Sequence, residues 1–298
     1  MRTVFDWNIG SRSLALGKRT LVMGVLNVTP DSFSDGGQFL DPEKALEHAL
    51  GLLDEGAEII DIGGESTRPG ARVNPSGSGK SEVAKPVTEK EERDRVLPVI
   101  TKLKQKRPSA VISIDTYRAS VARAAVEAGA EIVNDVSAFR WDTKMAKTVA
   151  DLKCGAVLMH MRGRPEEWRK LTPVADIVML AKRELRDWAD AATMAGVKRE
   201  RIAVDPGFGF GKNFEDNYPL LRRLDEFHQL RYPLLAGVSR KSFIGRMLKR
   251  DDKDAAISDR VYGTVAAETV AILKGVHIIR THDVRACVDA ARVADIVA

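Results

Sequence analysis

Short apolar runs rich in β-branched residues alternate with longer segments of helical period along nearly the whole chain. Such runs, separated by amphipathic stretches, are typical of buried parallel strands that alternate with helices. The eight predicted strands are 21–29, 59–63, 111–116, 132–137, 156–161, 202–206, 234–239 and 278–282. Helices are predicted at 42–55, 89–106, 118–128, 143–152, 174–195, 216–227 and 259–274, and a last one begins near residue 284.

Two predicted helices end in nearly the same sequence, Gly56–Asp61 and Gly129–Asn134, and each glycine can supply the left-handed residue that turns a helix into a strand. Eight units without a break favour an α/β fold closed into a (β/α)8 TIM barrel, one domain over 1–298. An open doubly wound sheet is the alternative, but no GxGxxG motif follows the first strand. Residues 1–19 contain the turn-forming segment Asn8–Ser11 and are predicted to form a β-hairpin that plugs the bottom of the barrel.

The segment 70–87 breaks this alternation. It is rich in Gly, Ser, Lys and Pro, which predicts an extended mobile loop after the second strand. Gly79-Lys80-Ser81 resembles part of a P-loop, but that motif needs a glycine where Asn74 stands, and no buried strand leads into it. We therefore interpret the segment as a surface loop on the face where the strands end.

Composition narrows the class of protein. Of 298 residues, 44% are hydrophobic and 30% are charged, which suits a globular chain with a large core. Lys and Arg number 47 against 42 Asp and Glu, so no nucleic-acid partner is expected from charge alone. The two cysteines, Cys154 and Cys287, have no metal-binding spacing, and neither a signal peptide nor a membrane-spanning stretch is evident, so we expect a cytoplasmic protein with no membrane partner.

Polar residues follow every predicted strand, at the end of a barrel where catalytic groups gather. Strands three, four and six end in Asp115, Asn134 and Asp205, a set that suits a flat heterocycle with several N–H donors. Strands seven, eight and one adjoin in a closed barrel and end near hydrogen-bond donors, namely Lys241, Arg280, His282 and Asn27. Because donors of this kind suit an anion, the predicted ligand has a nitrogenous ring at one end and a phosphate or diphosphate at the other.

Two long segments, NVTPDSFSDGG at 27–37 and DIGGESTRPG at 61–70, resemble the two signatures of the dihydropteroate synthase family. The resemblance spans essentially the whole chain, through SIDT at 113–116, VND at 133–135, LMHM at 158–161, VDPGFGFGK at 204–212, SRKS at 239–242 and RTHDV at 280–284. Both signatures in order, with each later motif in place, make this a specific resemblance to a family of pterin-binding TIM barrels.

The resemblance implies folate synthesis, in which the amine of para-aminobenzoate attacks the methylene carbon of 6-hydroxymethyl-7,8-dihydropterin diphosphate and pyrophosphate leaves with Mg²⁺. It implies that the pterin is held by Asp115, Asn134, Met159, Asp205 and Lys241. The implied diphosphate residues are Asn27, Thr67, Arg68, Arg280 and His282, with Asn27 also the metal contact. The implied para-aminobenzoate pocket comprises Phe33, Thr67, Pro69, Phe210, Ser239 and Lys241, and the catalytic set is Asp115, Asp205, Lys241, Arg280 and His282.

The chemistry of these residue types points the same way. Loss of diphosphate leaves positive charge on a methylene carbon conjugated with the pterin, which the carboxylates of Asp115 and Asp205 would stabilise. An aromatic amine is mostly neutral at neutral pH and can attack without a strong base. We therefore expect a dissociative substitution and assign no general base.

Two alternatives share the pterin residues: a folate-dependent methyltransferase of the related pterin-binding barrels and a non-catalytic pterin-binding paralogue. Lys241 within SRKS and the complete TPDSFS loop disfavour the methyltransferase, and Arg280 together with His282 disfavours a sensor of free pterin.

The resemblance also implies a homodimer through helices late in the barrel, and the apolar stretch Val261–Leu273 is compatible with it. Sulfonamides are expected to compete with para-aminobenzoate, because the first-strand loop has no insertion near Phe33. The chain departs from the family pattern in the loop at 72–87, which is longer than expected there.

Overall fold

The computed structural model describes residues 2–29, 41–65 and 87–298. The chain begins with an antiparallel hairpin of β1 (Phe5–Asn8) and β2 (Ser13–Leu16), as predicted. A parallel sheet then contains β3 (Leu21–Asn27), β4 (Ile59–Gly63), β5 (Val111–Asp115), β6 (Ile132–Asp135), β7 (Gly155–Met159), β8 (Ile202–Asp205), β9 (Leu235–Ala236) and β10 (Ile278–Thr281). Each of these strands begins at or next to a predicted strand start.

The parallel sheet closes on itself. Its strand order is β8-β7-β6-β5-β4-β3-β10-β9, and the two ends of that order meet through a parallel bridge between Val204 and Leu234. The Val204 amide also donates to the Pro233 carbonyl at 2.9 Å. The prediction of a (β/α)8 barrel is therefore confirmed.

Helices cover the outside of the barrel: α1 (Pro42–Asp54), α2 (Glu89–Lys106), α3 (Ala119–Glu127), α4 (Met145–Leu152), α5 (Ile177–Met194), α6 (Phe214–Arg222), α7 (Ser242–Met247), α8 (Val261–Leu273) and α9 (Val284–Val297). Thr88 and Glu91 form a capping box that starts α2 at its predicted first residue. The sequence places α6 too late and too long. It starts at Phe214, because Asn213 and Asp216 form a capping box, and continues past Arg222 only as a 3-10 helix, Leu224–Leu230.

The hairpin fills the bottom of the barrel. Its Trp7, Ile9 and Leu16 side chains are fully buried. They pack against residues at or near the strand starts, namely Leu21, Met23, Ile59, Val111, Ile132, Val157, Ala203, Leu235 and Ile278. The Trp7 indole N–H donates to the Arg201 carbonyl at 2.9 Å, which satisfies its one polar atom. The bottom is thus closed by apolar packing, and the polar strand ends face the opposite, carboxyl end.

The predicted mobile loop at 70–87 lies outside the described residues, except for Val87. Within the described ranges, no helix has the length and apolarity that a membrane crossing requires.

Candidate active site

The residues predicted to hold a flat heterocycle lie on neighbouring strands. Asp115 at the end of β5 pairs in register with Asn134 on β6, and Met159 at the end of β7 pairs with Asp205 at the end of β8. Asn134 and Asp205 are each only 4% exposed. The barrel thus brings these four side chains to one side of its mouth: two carboxylates, one carboxamide and one thioether.

A buried carboxylate that is not among the predicted site residues connects the two sides of the mouth. Oδ2 of Asp61, on β4, accepts from Nδ2 of Asn134 at 3.0 Å and from Nε of Arg280 at 2.6 Å. Arg280 in turn donates through Nη2 to Oδ2 of Asp115 at 2.8 Å. The signal for Asp61 was present in the sequence, as an acid in the middle of an otherwise apolar strand.

Burial dominates the electrostatics of the two carboxylates. It raises the pKa of Asp115 to about 7, where the pull of Arg280 is opposed by the neighbouring Asp61. Burial also raises the pKa of Asp205, against the attraction of Lys241. Both groups are therefore easier to protonate than a surface aspartate, and a positively charged ligand would favour their ionised forms.

Lys241 precedes the first turn of α7 and points back into the mouth. Its ammonium donates to the Phe208 carbonyl and lies 4.4 Å from the centroid of the Phe210 ring. Burial lowers the pKa of Lys241 to about 7, with Asp205 opposing this shift. A donor that titrates near neutrality thus lies near two buried carboxylates, those of Asp115 and Asp205, whose pKa values are raised.

The anionic side of the predicted ligand faces β9, β10 and β3, which are adjacent in the sheet. Oγ of Ser239 lies 3.1 Å from Nδ1 of His282 and accepts from the His282 amide at 3.1 Å, which orients the imidazole. Asn27 ends β3 and is half-buried. The structure therefore joins Ser239 to His282 directly, on strands adjacent to the one that Asn27 ends, while the Arg280 guanidinium reaches across to the carboxylates.

An apolar cluster lines the mouth beside these polar groups. We call it the mouth cluster; it comprises Tyr117, Val136, Met159 and Met161, with Trp141, Trp168 and Phe210 packed against them. The Phe210 ring meets Trp168 edge to face at 5.9 Å between centroids. The cluster gives the site a wall on which a flat ring can pack.

Four of the predicted site residues fall outside the described residues. They are Phe33, Thr67, Arg68 and Pro69. Their assignments stay predictions.

An ion cluster not anticipated from sequence lies at the edge of the mouth. Nη1 of Arg118 donates to Glu65 at 2.6 Å and to Glu92, and Nη2 donates to the Val87 carbonyl at 2.8 Å. The Tyr117 hydroxyl donates to the same Glu65 carboxylate at 2.9 Å. Arg118 thus joins residues on both sides of the segment 66–86.

A model of the pterin binding enzyme family matches residues 23–282, so the barrel and its polar strand ends are those of this class. A curated relative, the dihydropteroate synthase of Synechocystis, is 43% identical over 99% of this chain and 92% of its own length. The solved dihydropteroate synthase of Xanthomonas albilineans with 4-aminobenzoic acid is 42% identical, with a TM-score of 0.85 and coverage of 100% and 98% of the two chains. That of Yersinia pestis, in complex with a sulfonamide drug, is 38% identical, with a TM-score of 0.83 over 95% and 96%. The chain belongs to the dihydropteroate synthase family.

Proposed function

We propose that this chain condenses 6-hydroxymethyl-7,8-dihydropterin diphosphate with para-aminobenzoate to give 7,8-dihydropteroate and pyrophosphate. The observation that carries the proposal is that the mouth of the barrel has two chemically different sides, in a chain of this family. Acceptors and a carboxamide lie at the ends of β5, β6 and β8, and donors lie at the end of β3, on and after β10, and in the segment that follows β9. This division matches a substrate with a donor-rich ring and a diphosphate.

The pterin would bind between the strand ends of the first side. Asp115 and Asp205 would accept from ring and amino N–H groups, and Asn134 can both donate and accept. The Lys241 ammonium would donate to a ring acceptor, and Met159 would pack against the ring. Because Asn134 and Asp205 are nearly inaccessible to water, each of these hydrogen bonds would form in a site of low dielectric.

The diphosphate would bind on the second side, to Arg280, His282 and Asn27. In this structure, Arg280 donates to Asp61 and Asp115. When the pterin donates to Asp115, its N–H replaces Nη2 of Arg280, which is then available to the diphosphate while Nε stays on Asp61. Thr67 and Arg68 join this group by resemblance alone.

The chemistry is a dissociative substitution at the methylene carbon. As the carbon–oxygen bond breaks, negative charge grows on the leaving diphosphate beside Arg280 and His282, and positive charge spreads over the methylene and pterin ring beside Asp115 and Asp205. Charges fixed in position before the reaction stabilise both developing charges without reorganisation. The neutral amine of para-aminobenzoate then attacks, and its proton leaves to water.

Magnesium is compatible with this site. Among the residues that the structure describes, no group of three or more His, Cys, Asp and Glu could hold a metal ion. The half-buried amide oxygen of Asn27 can supply one hard ligand, and Mg²⁺ commonly takes its other ligands from substrate phosphates and water. We assign Asn27 as the protein contact; when bound, the ion would neutralise charge on the diphosphate.

Para-aminobenzoate would approach past Phe210, Ser239 and Lys241, with Phe33, Thr67 and Pro69 as predicted partners. The relatives from Xanthomonas and Yersinia, solved with 4-aminobenzoic acid and with a sulfonamide drug, support this pocket and sulfonamides as competitive inhibitors. Phe210 offers a ring face near the Lys241 ammonium, a setting that suits an aromatic carboxylate.

Exposed apolar side chains on the late helices support the predicted homodimer. Tyr262 on α8 is 88% exposed and Ile296 on α9 is 85% exposed. Leu273, Val293 and Val297 are also exposed on these two helices, which pack against each other. We expect a dimer by light scattering, and a monomer after the paired substitution Tyr262→Glu and Ile296→Glu. We also propose a cytoplasmic location. Both cysteines are buried free thiols, which suits a reducing compartment.

The decisive experiment measures pyrophosphate release by the purified chain with Mg²⁺ and the pterin diphosphate, with and without para-aminobenzoate, beside chromatography for dihydropteroate. Stoichiometric dihydropteroate supports the proposal. Tight pterin binding without coupled product would overturn it in favour of a pterin-binding paralogue, and methyl transfer from a folate would favour the methyltransferase.

A further inference from the structure

A buried lysine that the mechanism leaves unused lies behind the mouth. Lys212 is 9% exposed and directly follows the glycine-rich loop 207–211 between β8 and α6. Its Nζ donates to three backbone carbonyls, those of His160 at 3.1 Å, Gly207 at 2.7 Å and Phe210 at 3.2 Å. Three acceptors match the three N–H bonds of an ammonium, whereas a neutral amine would lose one of these contacts.

The loop is curled around this ammonium. Gly207, Gly209 and Gly211 have φ values of +68°, +80° and +64°, so every second residue is left-handed. A Cβ on Gly207 would lie 1.9 Å from the His160 carbonyl oxygen, which shows how closely the loop packs on the backbone after β7. Its carbonyls therefore turn inward to a common donor, and that donor is Lys212.

The outer side of the same loop contacts the proposed substrate pocket. The Phe208 carbonyl accepts from the Lys241 ammonium, and the Phe210 ring contacts both that ammonium and the Trp168 ring. A shift of the loop would therefore move an aromatic wall and a charged donor together.

We propose that Lys212 is a positioning residue whose ammonium holds the loop 207–211 in the shape that places Phe210 and Lys241 for the incoming aromatic amine. The expected effect of Lys212 on the kinetics rests on the proposed function. Its expected effect on the shape of the loop rests on the geometry alone. Burial and the nearby Lys241 hold the pKa of Lys212 well below its usual value, while Asp205 favours the charged form. The three carbonyl contacts favour it as well.

The experiment compares Lys212→Met and the milder Lys212→Gln with a matched control, Lys182→Met. Lys182 is equally buried. Its Nζ donates to Glu226 at 3.1 Å and to Gln229 at 2.9 Å, so these contacts join α5 to the 3-10 helix after α6. Each protein is assayed for kcat and KM with both substrates, well below its unfolding midpoint. Incorporated 5-fluorotryptophan, with the Trp168 signal assigned by Trp168→Phe, reports the loop by ¹⁹F NMR without any turnover.

Both Lys212 variants are expected to lower kcat/KM for para-aminobenzoate, on the order of 10- to 100-fold for Lys212→Met, and to shift the Trp168 resonance. Lys182→Met should lower the unfolding midpoint and change neither readout. Wild-type kinetics and an unmoved Trp168 signal in Lys212→Gln would overturn the inference, as would an equal kinetic loss in Lys182→Met. If the wild-type chain makes no dihydropteroate, the proposed function fails, and the fluorine signal still decides whether Lys212 holds the loop.

Discussion

Arg280 donates through Nη2 to Oδ2 of Asp115 at 2.8 Å, which joins a residue proposed for the diphosphate to one proposed for the pterin. Opposite charges from the two sides of the mouth therefore form an ion pair. Even so, burial keeps the pKa of Asp115 at about 7. Under the proposed function, a bound pterin diphosphate would separate this pair, so the site's electrostatics would change on substrate binding.

The affinity for a pterin is expected to depend on pH with a maximum near neutrality. Below about 7, Asp115 becomes protonated and loses acceptor capacity; above about 7, Lys241 loses the proton with which it would donate. Since the two groups interact, the two limbs of the profile give apparent pKa values of the pair and not of either residue alone. Calorimetric titration with 6-hydroxymethylpterin, corrected for the ligand's own ionisation, measures this profile. Asp115→Asn should bind more weakly and show a smaller acidic limb, and a flat wild-type profile would contradict the assignment.

Asp205→Asn is expected to slow carbon–oxygen cleavage by roughly 10²- to 10³-fold, because it removes a fixed negative charge from beside the developing cation. The asparagine can still accept from the Gly207 amide, now 2.7 Å from Oδ1, so the loop should keep its shape. Single-turnover pyrophosphate release measures the step. Asp176→Asn, at the N-cap of α5, is the charge-matched control and should leave the rate unchanged. An unaltered rate in Asp205→Asn would exclude electrostatic stabilisation by this carboxylate.

The strands, most helices and the hairpin could be predicted because local patterns encode them: apolar runs, capping residues and turn-forming glycines. The partners of Arg280 could not be predicted in this way. Asp61 and Asp115 lie 219 and 165 residues from Arg280 in sequence and meet it only when the barrel closes. The role of Lys212 was hidden for another reason. Its partners are backbone carbonyls, which leave no trace in residue identity.

Replacing Gly207 by alanine is expected to be far more destabilising than the same change at Gly196. Both have positive φ, +68° and +103°, which alone costs about 1–2 kcal/mol for a residue with a Cβ. At Gly196 the new Cβ would have Ala150 Cβ at 3.4 Å, whereas at Gly207 it would lie 1.9 Å from a backbone oxygen. The loop would have to move, so we expect Gly207→Ala to lose about 3 kcal/mol or more, together with activity. Urea unfolding of both variants measures the difference, and equal midpoints would contradict it.

Arg118→Met is expected to destabilise the fold by about 3–5 kcal/mol, because it leaves the buried carboxylates of Glu65 and Glu92 without their shared cation. Arg107→Met, which breaks a half-exposed pair with Asp54 at 3.4 Å, is the matched control and should cost about 0–1 kcal/mol. Urea unfolding gives both values.

The pH dependence separates this account from simple loss of packing at Arg118. Burial already raises the pKa of Glu92 above its ordinary value, and removal of the Arg118 cation should raise that pKa further. A carboxyl group with a raised folded-state pKa contributes stability that is present at low pH and lost as pH rises through that pKa. The deficit of Arg118→Met should therefore be smaller at mildly acidic than at mildly alkaline pH, and Glu92→Gln added to it should flatten the difference. A deficit that stays constant across this range would mean that the methylene stem of Arg118, rather than its charge, holds the edge of the mouth.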